Sequence, residues 1–283
     1  MMYELRLENE NSQIVNVNDG NKYIVLSVSG LNPPKATVFS AKSPNKKGSK
    51  KNGSTLDERI VIIQIKLLGN VEANRNALYA WTDTEQELKI YYRNGEKNVY
   101  CEGTVTDCDI DLFTSNETVS VAILCNDPYL YDMQEIVSDI SSIVKQFTFP
   151  FAISAAGVPF STVKESNTTN IFNTGAETGV KITVKCRGNV SNLRIYDARD
   201  TTKQFKINGV LQAGWIVEID TEGSPKTVRA IKPDGTTENL MKYVINPTWF
   251  TLKKGNNLFG YSADGDLSNI EMTMGFRHKF LGV

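Results

Sequence analysis

Histidine and cysteine are scarce in this sequence, which argues against several kinds of active site. Among 283 residues there is one histidine, His278, and four cysteines stand at positions 101, 108, 125 and 186. Ser-His-Asp and Cys-His catalysis need a histidine as general base, and a zinc site needs clustered Cys and His ligands. No CxxC pair occurs. We therefore predict no metal site, a structural or surface role for His278, and free, buried thiols.

The sequence also lacks an excess of either charge and any long apolar run. Lys and Arg total 31 against 32 Asp and Glu, so the formal net charge is −1. A protein whose main partner is nucleic acid needs a basic surplus or a basic face. The sequence contains no run of 18 apolar residues, the length needed to span a membrane. Its first residues lack the pattern of a signal peptide. We expect no nucleic-acid specificity, no membrane contact and folding in the cytoplasm.

No motif indicates a cofactor or a catalytic centre. Residues 48–55 resemble a phosphate-binding loop, but the lysine that should follow the second glycine is missing. Asp107, Asp109 and Asp111 alternate as in a calcium loop, yet Leu112 stands where that loop needs glycine. A strand with one wet face explains this alternation better. We predict no cofactor and no enzymatic activity.

Hydrophobic periodicity predicts a mainly β protein with one or two helices in its N-terminal half. The first helix is predicted at 71–82, and the second at 133–146, where apolar residues from Ile136 to Phe147 form one stripe. Turn signals around 94–97 predict a hairpin, and after residue 150 the short, evenly spaced apolar runs predict a β-sandwich. We place the domain boundary in the Pro/Gly/Ser-containing stretch, which gives domains at 1–150 and 151–283. The main predicted strands are 22–29, 59–68, 87–93, 99–105, 119–124, 179–186, 192–196, 204–207, 215–220, 227–231, 248–252, 258–261 and 270–276.

Two groups of side chains are candidates for contacts with partners. The segment 41–52 is rich in lysine and small polar residues, so it cannot bury a core and is predicted to be a mobile loop that is either simply solvated or ordered on a partner. Trp215 and Trp249 are candidates for a sugar-binding or docking surface, although core or interface packing is the simpler interpretation. The predicted contact residues, besides these tryptophans, are Lys42, Lys46, Lys47, Lys50, Lys51, Arg59 and Arg75.

The order of several short motifs resembles the distal tail protein (Dit) family of long-tailed bacteriophages and related tail-like particles. The motifs extend over nearly the whole chain, and their order and spacing carry the resemblance. They are the Ser/Gly-rich segment 48–55, the strand 59–68, Arg75-Asn76-Ala77-Leu78, the hairpin 89–105, Cys125-Asn126-Asp127-Pro128-Tyr129, Asn173-Thr174-Gly175, the strand 214–221 with Ile219-Asp220-Thr221, and the turn from Trp249 through Leu252 to Gly255-Asn256-Asn257.

The resemblance implies a structural protein of the virion. It implies an N-terminal domain that forms a ring, usually a homo-hexamer, at the distal end of the tail tube, and a C-terminal galectin-like β-sandwich that faces outward. Its implied partners are the tail tube protein, a tail-associated hub or fibre protein and a receptor-binding protein, assembled in the bacterial host cytoplasm. A contractile tail, a non-contractile tail and a bacteriocin-like particle all remain open.

Two other functions stay open at this point. The C-terminal sandwich could be a carbohydrate-binding module for host cell-wall glycans, with Trp215 or Trp249 against the sugar. A tail-associated glycan hydrolase would need an acidic cleft, and no pair of carboxylates stands out in the sequence.

Overall fold

The protein is predominantly β, as predicted, and its chain divides into two compact units. The structure, a computed structural model, describes residues 3–42, 47–112, 114, 116–141, 143–145, 161–163 and 168–283. One unit comprises Met1–Met133 and Lys279–Val283, and the other comprises Gln134–His278. The predicted boundary at 150/151 lies outside the described residues and stays a prediction.

The first unit is built from strands and one α-helix within its described residues. Strand β8 pairs with β7 through its first half and with β9 through its second half, so it belongs to both β-layers around one core. The elements are β1 Glu4–Asn9, β2 Ile14–Asn16, β3 Tyr23–Ser29, β4 Ala36–Ala41, β5 Lys50–Leu56, β6 Arg59–Leu67, α1 Val71–Thr82, β7 Glu87–Arg93, β8 Asn98–Ile110, β9 Thr118–Cys125 and the start of β10 Leu130–Asp139.

The helix prediction at 71–82 is confirmed. Asn70 caps α1, because its side chain accepts a hydrogen bond from the backbone N–H of Ala73. Leu78 is buried in the core, and Val71 and Trp81 pack against it. The predicted hairpin is confirmed as well, since Asn94 closes the turn between β7 and β8 by accepting the N–H groups of the two residues that end it.

The helix prediction at 133–146 is wrong. Residues 130–139 form β10, and 143–145 form the short strand β11. Five of the six residues in the apolar stripe are Ile or Val, and their branched side chains fit a strand better than a helix. The exposures also fit no helical stripe, because Val137 is 63% exposed while Ile140 is buried. Phe147 lies outside the described residues.

The second unit contains two sheets that enclose one core, which agrees with a β-sandwich. One sheet has the order β24-β15-β19-β20-β21, and the other has the order β13-β23-β16-β17 with β18 beside β16. These strands and the smaller ones are β11 Ile143–Lys145, β12 Ser161–Val163, β13 Thr168–Asn173, β14 Thr178–Gly179, β15 Lys181–Cys186, β16 Val190–Asp197, β17 Asp200–Lys206, β18 Val210–Leu211, β19 Ile216–Asp220, β20 Thr227–Ile231, β21 Thr237–Asn239, β22 Thr251–Leu252, β23 Gly255–Asp264 and β24 Ile270–Phe280.

A buried arginine joins distant segments of the first unit. Arg59 is only 2% exposed, and its guanidinium donates to the carbonyl oxygens of Pro128 at 2.7 and 3.0 Å, Asn32 at 2.9 Å and Leu281 at 2.8 Å, and also to that of Gly30. Burial lowers the pKa of Arg59, while nearby groups including Asp127 oppose that effect. The charge is therefore held by carbonyl dipoles.

The described helices of this protein include none that is long and apolar enough to cross a membrane.

Replacing Arg59 should destabilise the first unit. In Arg59→Lys a single ammonium group cannot reach all four carbonyls, and each buried carbonyl left without a donor costs about 1–3 kcal/mol. We expect the free energy of unfolding to fall by about 3 kcal/mol in urea denaturation. The control Arg93→Lys, at a side chain that is 63% exposed, should change it by less than about 0.5 kcal/mol. Equal stability of the two variants would contradict this role.

Candidate assembly surfaces

Both ends of the predicted lysine loop belong to a β-hairpin. Strands β4 and β5 pair from Ala36↔Leu56 to Ala41↔Lys50, and we call this two-stranded element the lysine hairpin. The prediction of an irregular loop over 41–52 is wrong for Ala41 and for residues 50–52, because pairing with the opposite strand orders them. Lys42, Lys47, Lys50 and Lys51 are exposed, whereas Lys46 lies outside the described residues.

The lysine hairpin also exposes large apolar side chains. Every residue of β4 is exposed, and Val38 and Phe39 keep 54% and 55% of their surface. Val38 faces Ser54 and Phe39 faces Gly53 across the pair, so consecutive residues of β4 present apolar surface on both sides of the ribbon. The lysines are predicted contact residues, whereas nothing in the sequence distinguished these two apolar residues from core residues.

The other two predicted contact residues already have partners inside the first unit. Arg59 is buried and its guanidinium is bound to backbone carbonyls of its own unit. This burial argues against a contact between Arg59 and another subunit. Arg75 on α1 forms a 2.8 Å ion pair with Glu117, and both side chains are about one-fifth exposed. This pair ties the helix to the start of β9.

A second exposed apolar surface lies on strands β3, β6, β9 and β8. On β6 the side chains of Val61, Ile63 and Ile65 are buried, while Ile60 and Ile62 on the opposite side are 52% and 38% exposed. We call that opposite side of the four strands the open face. The sequence carries a signal for this surface, the continuous apolar run from Ile60 to Ile63. A strand that is apolar on both sides is typical of a sheet that is covered on both sides.

The open face has an acidic edge. Register places Asp107 beside Ala122 and then Ile62, and Asp109 beside Ser120 and then Gln64. Directly opposite residues of an antiparallel pair share one side of the sheet, so both aspartates lie on the open face. They are exposed. The prediction that this alternation marks a strand with a wet face is confirmed as far as Ile110, where β8 ends.

An acidic cleft lies elsewhere in the first unit. Five carboxylates line it: Glu8, Glu10, Glu87, Glu102 and Asp127. Two of them already serve structural contacts, since Glu102 pairs with Lys89 at 2.9 Å and Glu8 accepts the hydroxyl of Tyr91. Burial and the contact with Glu8 raise the pKa of Tyr91. Within the part of the chain that the structure describes, this cleft is a feature that the hydrolase hypothesis would use.

Trp215 and Trp249 lie at the edge of the second unit's core. Both are half-buried and pack against it. The Trp249 ring meets that of Phe205 edge to face at 5.3 Å, and Lys226 lies 5.6 Å from its centroid. Lys232 lies 5.3 Å from the Trp215 centroid. Phe250, the neighbour of Trp249, is buried.

The cysteines and His278 hold structural positions. All four thiols are free, and three are buried as predicted, whereas Cys108 is half-buried. Burial raises the pKa of Cys186 to about 11, which keeps this thiol protonated and unreactive. A ring nitrogen of His278 lies 2.9 Å from the side-chain oxygen of Asn173. Among the described residues, no cluster of three or more His, Cys, Asp or Glu side chains could hold a metal ion.

Comparison with known proteins identifies the C-terminal part. Residues 173–280 match the family described as "Siphovirus-type tail component, C-terminal domain", whose model is that of SPP1 Dit. These residues resemble the C-terminal domain of that family. The predicted resemblance to distal tail proteins is thereby confirmed. No curated protein matches the sequence.

Solved structures of phage tail proteins share the fold of the whole chain. The Dit protein of phage SPP1, described as a paradigm of the hub adsorption apparatus in phages that infect Gram-positive bacteria, superposes with a TM-score of 0.72 at 14% identity, covering 99% of this chain and 100% of that one. Chains of the phage P2 baseplate in its activated conformation, with Ca and with Sr, give a TM-score of 0.52 at 11% identity with complete coverage of both chains.

Truncating Trp249 should destabilise the second unit. Its ring packs on Phe205 and the core, so Trp249→Ala removes buried apolar area and should lower the free energy of unfolding by about 2 kcal/mol. Urea denaturation followed by circular dichroism measures this change. The control Met241→Ala, at a residue 39% exposed, should change it by less than about 0.5 kcal/mol. Unchanged stability of Trp249→Ala would instead favour a binding role for that ring.

Proposed function

We propose that this chain is a structural protein of a phage tail tip, a hub subunit that joins the tail tube to the adhesion apparatus. The observation that carries the proposal is the agreement of the entire chain with the SPP1 Dit fold, together with the family match over residues 173–280. The SPP1 protein is a hub component, and the P2 chains belong to a baseplate. A location in the virion after assembly in the host cytoplasm follows from this role.

The two halves of the chain would divide the work. In this proposal residues 1–150 form a homo-hexameric ring that continues the tail tube, and residues 151–283 dock a hub, fibre or receptor-binding protein. The surfaces of the first unit support ring formation, because a closed head-to-tail ring needs two different contact surfaces on each subunit. The lysine hairpin and the open face are two such surfaces.

A structural role also agrees with the way these surfaces are made. Exposed apolar side chains gathered in patches mark sites of protein association, and both surfaces of the first unit carry them. The work of such a protein is geometric, so it needs no cofactor. The carbohydrate-binding alternative relies on Trp215 and Trp249, whose rings pack on the core with lysines nearby. It predicts a change in tryptophan fluorescence when host cell-wall polysaccharide is added.

The mass of the purified protein tests the ring. Native mass spectrometry should show a species of about 190 kDa, six times the subunit mass of 31.5 kDa. A protein that remains at 31.5 kDa when concentrated and when mixed with its tail tube protein would contradict the proposal.

Removing the outer part of the lysine hairpin, including four of the seven residues of β5, should weaken the ring without unfolding the subunit. Residues 47–52 are exposed and Gly53 is half-buried, while residues 43–46 lie outside the described part of the chain. Deletion of residues 43–53 therefore removes no residue that is known to be buried. We expect the ring species to disappear from native mass spectra while circular dichroism and the urea transitions stay close to those of the parent. An unchanged ring mass would exclude the hairpin as a ring contact.

A further inference from the structure

Two buried cysteines of the first unit have their sulfur atoms in contact. The Sγ atoms of Cys101 and Cys125 lie 3.9 Å apart, and the two residues are 2% and 0% exposed. Both carry free thiols. The other two cysteines are placed differently, because the Cys108 thiol lies 3.5 Å from the hydroxyl of Thr82 and Cys186 belongs to the second unit. Cys101 and Cys125 are therefore the pair that could react with each other.

The backbone brings these two thiols together where strands β8 and β9 stop pairing. Their pairing ends at Thr104↔Leu124, so Cys125 lies one residue beyond it on β9. A Cβ on Gly103 would lie 2.7 Å from the Cys125 sulfur, so the glycine leaves space for this sulfur beside β8. A disulfide bond needs its sulfurs about 2 Å apart. Rotation about one Cα–Cβ bond can close a gap of this size.

The surroundings of the pair favour a thiolate on Cys125. Arg59 lies directly opposite Cys125 across strands β6 and β9, so their side chains share one side of the sheet. The hydrogen bond with Cys101 lowers the pKa of Cys125, burial opposes this effect, and the charge of Arg59 adds to it. The same hydrogen bond and burial raise the pKa of Cys101. Since a thiolate is the attacking group in disulfide exchange, Cys125 is the sulfur that reacts first.

We infer that Cys101 and Cys125 form a disulfide bond when the folded protein meets a small-molecule disulfide such as oxidised glutathione. The Cys125 thiolate attacks one sulfur of the reagent, whose S–S bond breaks and releases one glutathione thiolate. The Cys101 sulfur loses its proton and attacks the Cys125 sulfur of this mixed disulfide, which releases the second glutathione thiolate. The two cysteine protons pass to the released thiolates, and the two electrons reduce the reagent to two thiols.

The bond cross-links the two β-layers of the first unit. Cys101 lies in the half of β8 that pairs with β7, and Cys125 lies on β9. The closed loop runs from residue 101 to residue 125, which restricts the unfolded chain and stabilises the fold. Cytoplasmic thiols are kept reduced, whereas conditions outside the cell are oxidising. On the function proposed above, the subunit folds and assembles with free thiols and is cross-linked after the particle leaves the cell.

Peptide mapping and heat stability test the pair. The full chain with Cys108→Ser, which removes the half-buried thiol, is incubated folded with oxidised glutathione for several days. A second sample is refolded from urea in a glutathione redox buffer, because buried thiols exchange only through local opening. Cys101 should be linked to Cys125 with a mass loss of about 2 Da, and Cys186 should stay free. The midpoint of thermal unfolding should rise by at least about 5 °C.

Two matched variants show whether the gain in heat stability belongs to this bond. Cys125→Ala and Cys186→Ala each remove one buried thiol. Oxidation should leave the midpoint of Cys125→Ala unchanged, because Cys101 has lost its partner. It should still raise the midpoint of Cys186→Ala. The same gain in both variants would contradict the inference.

The outcomes separate this inference from the proposed function. Free thiols on Cys101 and Cys125 in both samples overturn the inference, and so does a glutathione adduct on one of them without a bond between them. A bond that appears only in misfolded protein, with no rise of the midpoint, overturns it as well. The bond in a protein that forms no ring supports the inference and contradicts the ring. A ring whose thiols resist oxidation does the reverse.

Discussion

The buried guanidinium of Arg59 organises the part of the chain that we propose to assemble. It donates to the carbonyls of Gly30 and Asn32, which precede the lysine hairpin. Arg59 is also the first residue of β6, the strand that carries the exposed Ile60 and Ile62. The hairpin base and the open face are therefore fastened to the same side chain. A Cβ on Gly30, which has φ of +87°, would lie 2.0 Å from the Ile60 carbonyl oxygen, so only glycine permits this approach.

The distribution of charge is compatible with the proposed association of a nearly neutral chain with its own copies. Five lysines lie on a hairpin that contains no acidic residue, while Asp107 and Asp109 lie near the end of strand β8. Net charge is close to zero, so copies do not repel one another over long range. In the proposed assembly, separated patches of opposite sign would set the orientation of a contact, and the apolar residues beside them would supply area to bury.

The elements predicted correctly are those whose stabilising hydrogen bonds join residues close together in the sequence. The helix at 71–82 has its own cap in Asn70, and the hairpin at 94–97 has its own turn residue, so both were predictable. For the segment 133–146 the Ile and Val side chains were a local signal for a strand, but the pairing of β10, at Tyr131 and Asp132, is with residues of β8 about 30 positions earlier in sequence. The burial of Arg59 was hidden for the same reason, since its acceptors lie between 27 and 222 residues away. Ile60 and Ile62 were visible in the sequence, but only the structure shows that the surface they form is uncovered within one chain.

A cryo-electron microscopy reconstruction of the assembled protein is the most direct test of this account. It should show a closed ring of six subunits in which each lysine hairpin is buried against a neighbouring subunit. A ring whose hairpins extend into solvent, or a protein that forms no ring, would contradict it.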